Sequence, residues 1–170
     1  MSIKIAGAIL ILISSAAIGF IISAYRRYEI HLLKDLLFSI NYIKCELSYK
    51  CTALPDLFTN AANITGGTIS KLLSDIALGL ERKIASDSEK VVLTILKDYP
   101  DIPESIKYTI IDFSKTLGNF GLEGQLEELS VLQSHCAQLL DRKAKDREKY
   151  VRCYETLGIC CGAALVILLI

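Results

Sequence analysis

The sequence predicts an all-α protein, an antiparallel bundle of about six helices with a membrane helix at each end. Three observations lead there. Apolar residues in the middle of the chain recur every three or four positions, and no alternating strand pattern occurs. Ile5–Tyr25 and Thr156–Ile170 hold no charged residue. Each apolar end meets a basic cluster on its inner side: Arg26 and Arg27 at one, and Arg142, Lys143, Lys145, Arg147, Lys149 and Arg152 at the other. The expected division is 1–25 for an N-terminal transmembrane helix, 26–152 for a cytosolic helical-bundle domain and 153–170 for a C-terminal transmembrane helix.

Ile5–Tyr25 is 21 residues long, about what a helix needs to cross the hydrocarbon core. Ser15, Gly19 and Ser23 place small side chains on one stripe, where another helix can approach closely. A cleaved signal peptide is the rival reading, with Ser15-Ala16-Ala17 as a loose cleavage signal, but the apolar run continues past that point. The C-terminal run is shorter, and its 15 residues cover only about 22 Å as a helix. It either crosses a locally thinned bilayer with Arg152 snorkelling, or stops inside the membrane. Gly158 and Gly162 form a GxxxG, which suits close helix pairing. Lys and Arg beside membrane segments are retained in the cytoplasm. Both basic clusters lie on the domain side, so the domain is expected to face the cytosol.

The elements between the anchors follow from spacing and punctuation. Leu33, Leu36, Ile40, Ile43 and Leu47 form an amphipathic stripe, and no Pro or Gly interrupts Tyr25 to Leu54. This helix is expected to continue out of the anchor. Leu54-Pro55-Asp56-Leu57 opens a short second helix, with Pro in its first turn. Gly66-Gly67 breaks the chain. Thr68 or Ser70 is expected to cap the next helix, which buries Ile69, Leu72, Leu73, Ile76 and Leu80. Ser86 or Ser88 is expected to cap a helix over Glu89–Tyr99, with Val92, Leu93 and Leu96 inward. Pro100 and Pro103 punctuate. Glu104–Leu117 follows with Ile106, Ile110, Phe113 and Leu117 on one side, and Gly118 ends it. A last long helix starts near Leu122 and runs into the C-terminal anchor, with Leu126, Leu129, Leu132, Cys136 and Leu140 inward.

Net charge is zero but segregated. Residues 53–141 hold 7 Lys/Arg against 13 Asp/Glu, a balance of −6, and the remainder holds 12 against 6, a balance of +6. Anionic headgroups attract the basic part next to the apolar ends. The acidic part disfavours nucleic acid, whose phosphates need a basic surface. Asp98, Asp101, Glu104, Glu123, Gln125, Glu127 and Glu128 lie on the segments farthest from both anchors, and are the candidates for binding a protein partner. The six cysteines show no CxxC spacing, and reduced or buried thiols are expected.

Catalytic chemistry finds little support. Gly66-Gly67-Thr68-Ile69-Ser70-Lys71 lacks the first Gly of a phosphate loop and any preceding strand, so it reads as a turn. His31 and His135 have no second ligand at i+4. No nucleophile elbow occurs. No cofactor and no metal is expected. Glu46 and Tyr49 share a helix face. With Leu54, Pro55 and Gly118 at neighbouring helix ends, and with Asn119, Glu123 and Gln125, they make either a hydrogen-bonded structural brace or a docking surface, and the brace is the preferred reading.

A set of short motifs in order carries a resemblance. Gly7-Ala8-Ile9-Leu10-Ile11 and Gly19-Phe20 stand in the first anchor. Glu46-Leu-Ser-Tyr49 and Leu54-Pro55-Asp56-Leu57 follow. Then come Phe113-Ser-Lys-Thr-Leu117-Gly118, Glu123-Gly-Gln125 and Leu129. Tyr154-Glu-Thr-Leu157-Gly158, Gly162 and Val166-Ile-Leu-Leu169 close the series. In this the chain resembles the stage III sporulation protein AB family of endospore-forming bacteria. One departure stands out. The family usually places an Asp before the Glu-x-Gln, and Asn119-Phe120-Gly121-Leu122 stands here instead; if that Asp serves an acidic docking patch, the patch is weaker here.

The resemblance implies a fold similar to the cytoplasmic domains of the platform protein of type II secretion and type IV pilus machines. It implies a non-enzymatic platform subunit in the mother-cell membrane facing the forespore. The implied partners are a secretion-type ATPase of the same operon and sibling proteins that form the channel between the two cells. Self-association is a further partner to be considered. The alternative function is a membrane-tethered regulator or adaptor that binds a single protein.

Overall fold

A computed structural model of the chain describes the backbone of residues 2–50, 52–82, 87–119 and 122–169, and the side chains of residues 7, 20–21, 23–50, 52–82, 87–117 and 123–147. These residues form α1 (Ser2–Tyr49), α2 (Leu54–Ile64), α3 (Gly67–Glu81), α4 (Ser88–Ile95), a 3-10 turn (Leu96–Asp98), α5 (Glu104–Asn119) and α6 (Leu122–Leu169), with no strand among them. The all-α class stands. The chain divides into two compact units, one of Met1–Ile30 with Asp141–Ile170 and one of His31–Leu140.

The unit His31–Leu140 is built on the expected stripes. Leu33, Leu36, Ile40 and Ile43 of α1 are fully buried, as are Leu57 of α2, Ile69 of α3, Ile106 of α5 and Leu129 of α6. Each such side chain contributes about 1.5–3 kcal/mol through removal from water. Phe58 of α2 meets Phe113 of α5 edge-on, with ring centroids 5.7 Å apart and planes at 76°, the arrangement that the ring quadrupoles favour. Cys136 of α6 is buried, and its thiol points at the Leu33 carbonyl at 3.9 Å.

The α2–α3 turn differs from expectation. Neither Thr68 nor Ser70 sits at the N-cap of α3. Gly66 occupies that position, and Gly67 follows at φ 63°. A left-handed residue without a Cβ turns the chain so sharply that the helix begins before either hydroxyl can cap it. Ser70 Oγ instead donates back to the Ala62 carbonyl at 2.7 Å. Thr65 Oγ1 donates to the Ala61 carbonyl at 2.7 Å and lies 2.9 Å from the buried Ser39 Oγ of α1. The turn is thereby stitched to both its own helix and α1.

α4 also departs from its expected form. Asp87, not a serine, holds its N-cap position, and no side chain caps it; Ser86 lies outside the described residues. The α-helix stops at Ile95 and tightens into the 3-10 turn, so it has little more than two turns in which to define a face. Val91 joins Val92 in the core, and Leu93, expected inward, is 42% exposed. Leu80, Leu126 and Leu140 are half-buried rather than buried. α5 runs to Asn119, one residue past the Gly118 expected to end it.

The second unit consists of two helical segments, the start of α1 and the end of α6. Among the described residues, no helix is long and apolar enough to cross a membrane. The side chains of 8–19 and 148–170, which include Gly158, Gly162, Lys149 and Arg152, lie outside the described set. At the edge of the N-terminal apolar run, Phe20, Ile21 and Tyr25 are 76%, 66% and 54% exposed.

Candidate functional site

The basic cluster beside the apolar ends is organised by a residue that sequence reasoning missed. Glu29 of α1 has a side chain only 5% exposed, and its Oε1 lies 2.7 Å from Lys143 Nζ of α6. Arg26 stands one turn before it, with Nη1 4.0 Å from Glu29 Oε2. A carboxylate buried that deeply is costly unless paired, and Lys143 with Arg26 supplies the compensation. Lys143, itself 25% exposed, is therefore engaged inside the unit rather than presented wholly to a surface. Lys145 pairs with Asp141 at 2.6 Å on the exposed side of α6. Arg27 and Arg142 are exposed and Arg147 is half-buried. The one local signal for this pair was Glu29 three residues after Arg26.

The expected acidic positions are mostly open to solvent. Asp98, Asp101 and Glu104 are exposed around the Pro100–Pro103 turn, and Glu123, Glu127 and Glu128 are exposed on the first turns of α6. Glu104 pairs with Lys107 at 3.1 Å. Gln125 belongs to a different role: it is half-buried, and its Nε2 donates to the Leu117 carbonyl of α5 at 3.2 Å. It caps the end of one helix from the start of the next.

The brace set separates. Glu46 has a side chain 14% exposed and pairs with Lys50 at 3.4 Å, whereas Tyr49 is 84% exposed. A tyrosine standing in water braces nothing, because its ring touches too little to hold a helix. Leu54 and Pro55 are half-buried in the first turn of α2, and Gly118 lies outside the described side chains.

Other polar groups gather without any sign in the residue pattern. A groove of about 450 Å³ is lined by Asp112, Lys115 and Thr116 of α5 and by Glu128, Val131, Leu132 and His135 of α6. Lys115 bridges Glu89 of α4 at 3.4 Å and Asp112 at 3.8 Å. Tyr99 donates its hydroxyl to Asp75 at 2.5 Å; burial and that bond push its pKa upward. Burial pushes the Cys136 thiol up to about 11, so it stays neutral and inert at ordinary pH. Cys45 and Cys136 are both free. No group of three metal-ligating side chains occurs among the described residues.

The family profile for stage III sporulation protein AB matches residues 4–170. The chain belongs to the stage III sporulation protein AB family. No curated protein and no solved structure matches it. The resemblance drawn from the ordered motifs is therefore borne out over nearly the whole length. The family is one of sporulation proteins rather than a known enzyme family.

Proposed function

We propose that this sporulation protein is a non-enzymatic platform subunit, held in the mother-cell membrane facing the forespore by both ends, with its helical domain in the cytosol. The domain docks a secretion-type ATPase of the same operon and relays its action to sibling channel proteins. The observation that carries this reading is the charge layout: two apolar ends, each flanked on the domain side by basic residues, around a middle of charge −6 from 7 Lys/Arg and 13 Asp/Glu. The exposed Phe20, Ile21 and Tyr25 next to Arg26 and Arg27 support it, since an apolar and aromatic collar above basic residues suits a headgroup boundary. The exposed acids at Asp98, Asp101, Glu104, Glu123, Glu127 and Glu128 support a basic protein partner, whose encounter they would speed.

Membranes of sporulating cells expressing a tagged chain provide the test. After mild crosslinking, the tag is expected to bring down both the ATPase and a channel-ring component. Recovery of one protein alone would support the single-partner adaptor instead. Reversing Asp98, Asp101 and Glu104 to Lys is expected to slow association with the ATPase at low salt. An unchanged rate would remove the acidic rim from the docking face.

A further inference from the structure

The unit His31–Leu140 carries two exposed surfaces of opposite charge. The first runs along α4 into the 3-10 turn, where Lys90, Leu93, Thr94 and Lys97 are all exposed. Lys97, seven residues after Lys90, lies at nearly the same angle round the helix. Asp98 follows about a third of a turn away, because Leu96–Asp98 is a 3-10 turn. Lys90 and Lys97 have no ion-pair partner among the described residues. The second surface is the groove between α5 and α6. Its α6 wall carries Glu128 and Val131, with exposed Glu127 beside them, and Val131 is 59% exposed. No Lys or Arg stands between Lys115 and Arg142, and neither glutamate has an ion-pair partner among the described residues. Lys115 on the α5 wall is already held by Glu89 at 3.4 Å and Asp112 at 3.8 Å, so its charge is answered and that of the glutamates is not.

We propose that the groove receives the α4 stripe of a second copy, and that the exchange is reciprocal. Each copy's Lys90 and Lys97 meet the other's Glu127 and Glu128, and Leu93 meets Val131. Both halves of the match, in charge and in apolar contact, stand on this one chain. An uncharged segment in the groove would strip water from the glutamates and leave them unpaired, whereas the α4 stripe answers them. Lys115 shows why the exchange is mutual. It lines the groove and also holds Glu89, the residue before Lys90, so stripe and groove adjoin. A two-fold axis beside them sets each stripe on the opposite groove and closes the assembly at two copies. One short stripe and one groove per copy make a contact of the weak class, below about 1,200 Å² in total. Charge then governs encounter and register. The inference rests on the His31–Leu140 unit alone and stands apart from the membrane and platform reading.

Sedimentation equilibrium of the full chain in density-matched detergent tests this. The chain is expected to pass from monomer to dimer with rising concentration at low salt, and the dimer to weaken as salt is raised. Lys90→Glu with Lys97→Glu, and separately Glu127→Lys with Glu128→Lys, are each expected to raise the dimer dissociation constant by at least about tenfold at low salt. Helicity by circular dichroism is expected to be retained, because all four side chains are exposed. An equimolar mixture of the two variants is expected to recover the wild-type constant, since each contact again joins opposite charges. Three results would overturn the pairing: a monomer at the highest soluble concentration, a dimer that both folded variants keep at full strength, as association through the apolar ends would give, or a mixture no tighter than either variant alone. A ladder of species beyond two would show head-to-tail chaining and overturn the reciprocal arrangement.

Discussion

Asp35 shows how one side chain can oppose the fold that holds it. Its Oδ2 is buried without a hydrogen-bond partner, and His31 Nε2 is 3.7 Å away, too far to bond. Burial raises the Asp35 pKa above 3.8, with the His31 charge pulling weakly the other way. The native state therefore keeps this proton to higher pH than the unfolded chain does. The resulting stability is full below the unfolded pKa, about 4, and is lost as pH rises from there through the folded value. Asp35→Asn carries no proton to lose. Its melting temperature is expected to match the wild type near pH 3 and to exceed it at pH 7, in a thermal melt at each pH. A gap independent of pH would mean that the carboxylate charge is not the source. Nothing in the sequence marked Asp35, because it sits at an ordinary polar position of an amphipathic helix; its burial is set by the Gly66-Gly67 turn.

At the scale of elements, that turn depends on one glycine. A Cβ at Gly67 would lie 3.8 Å from Asp35 Oδ2, an ordinary contact, so space is not the constraint. The φ of 63° is. Gly67→Ala is expected to cost about 1–2 kcal/mol through the left-handed conformation alone. Gly66 has an N-cap φ of −103° and open space around it, so Gly66→Ala is expected to cost no more than about 0.5 kcal/mol. Urea unfolding midpoints of the two variants separate these expectations. The contrast also shows what the sequence displayed. The break at Gly66-Gly67 was legible, and so were the core stripes of α1, α3 and α5, because each repeats over several turns. Which glycine turns left-handed was not, and neither was the face of α4, where a short helix passing into a 3-10 turn gave Leu93 to solvent and Val91 to the core.

For the molecule as a whole, the Glu29–Lys143 pair joins the first helix to the last. Removing one member of a buried pair strands the other charge, so Lys143→Met is expected to destabilise by about 2–3 kcal/mol, discounted for the partial exposure of Lys143. Adding Glu29→Leu is expected to recover most of that loss, since two well-packed apolar residues can replace a buried pair. A double-mutant cycle on the full chain in detergent measures this, and strict additivity of the two changes would show that the residues do not interact. Local periodicity could not reveal such a contact, because the partners are 114 positions apart in sequence, from 29 to 143. The basic cluster at Arg142–Arg152 was legible, but read as a uniform lipid-facing set; among its described residues, burial separates Lys143, engaged with Glu29, from exposed Arg142 and Lys145.

That separation also has a consequence in time. A ribosome adding about 5–20 residues per second takes roughly ten seconds to advance from Glu29 to Lys143. Throughout that interval the nascent chain carries a carboxylate whose lysine does not yet exist, next to the apolar run that precedes it. Glu29 must wait in water, with only Arg26 and Arg27 at hand, until nearly the last helix is made. The closing of this unit is thus a late event in the birth of the protein, and a chain truncated before Lys143 would leave its first helix permanently waiting.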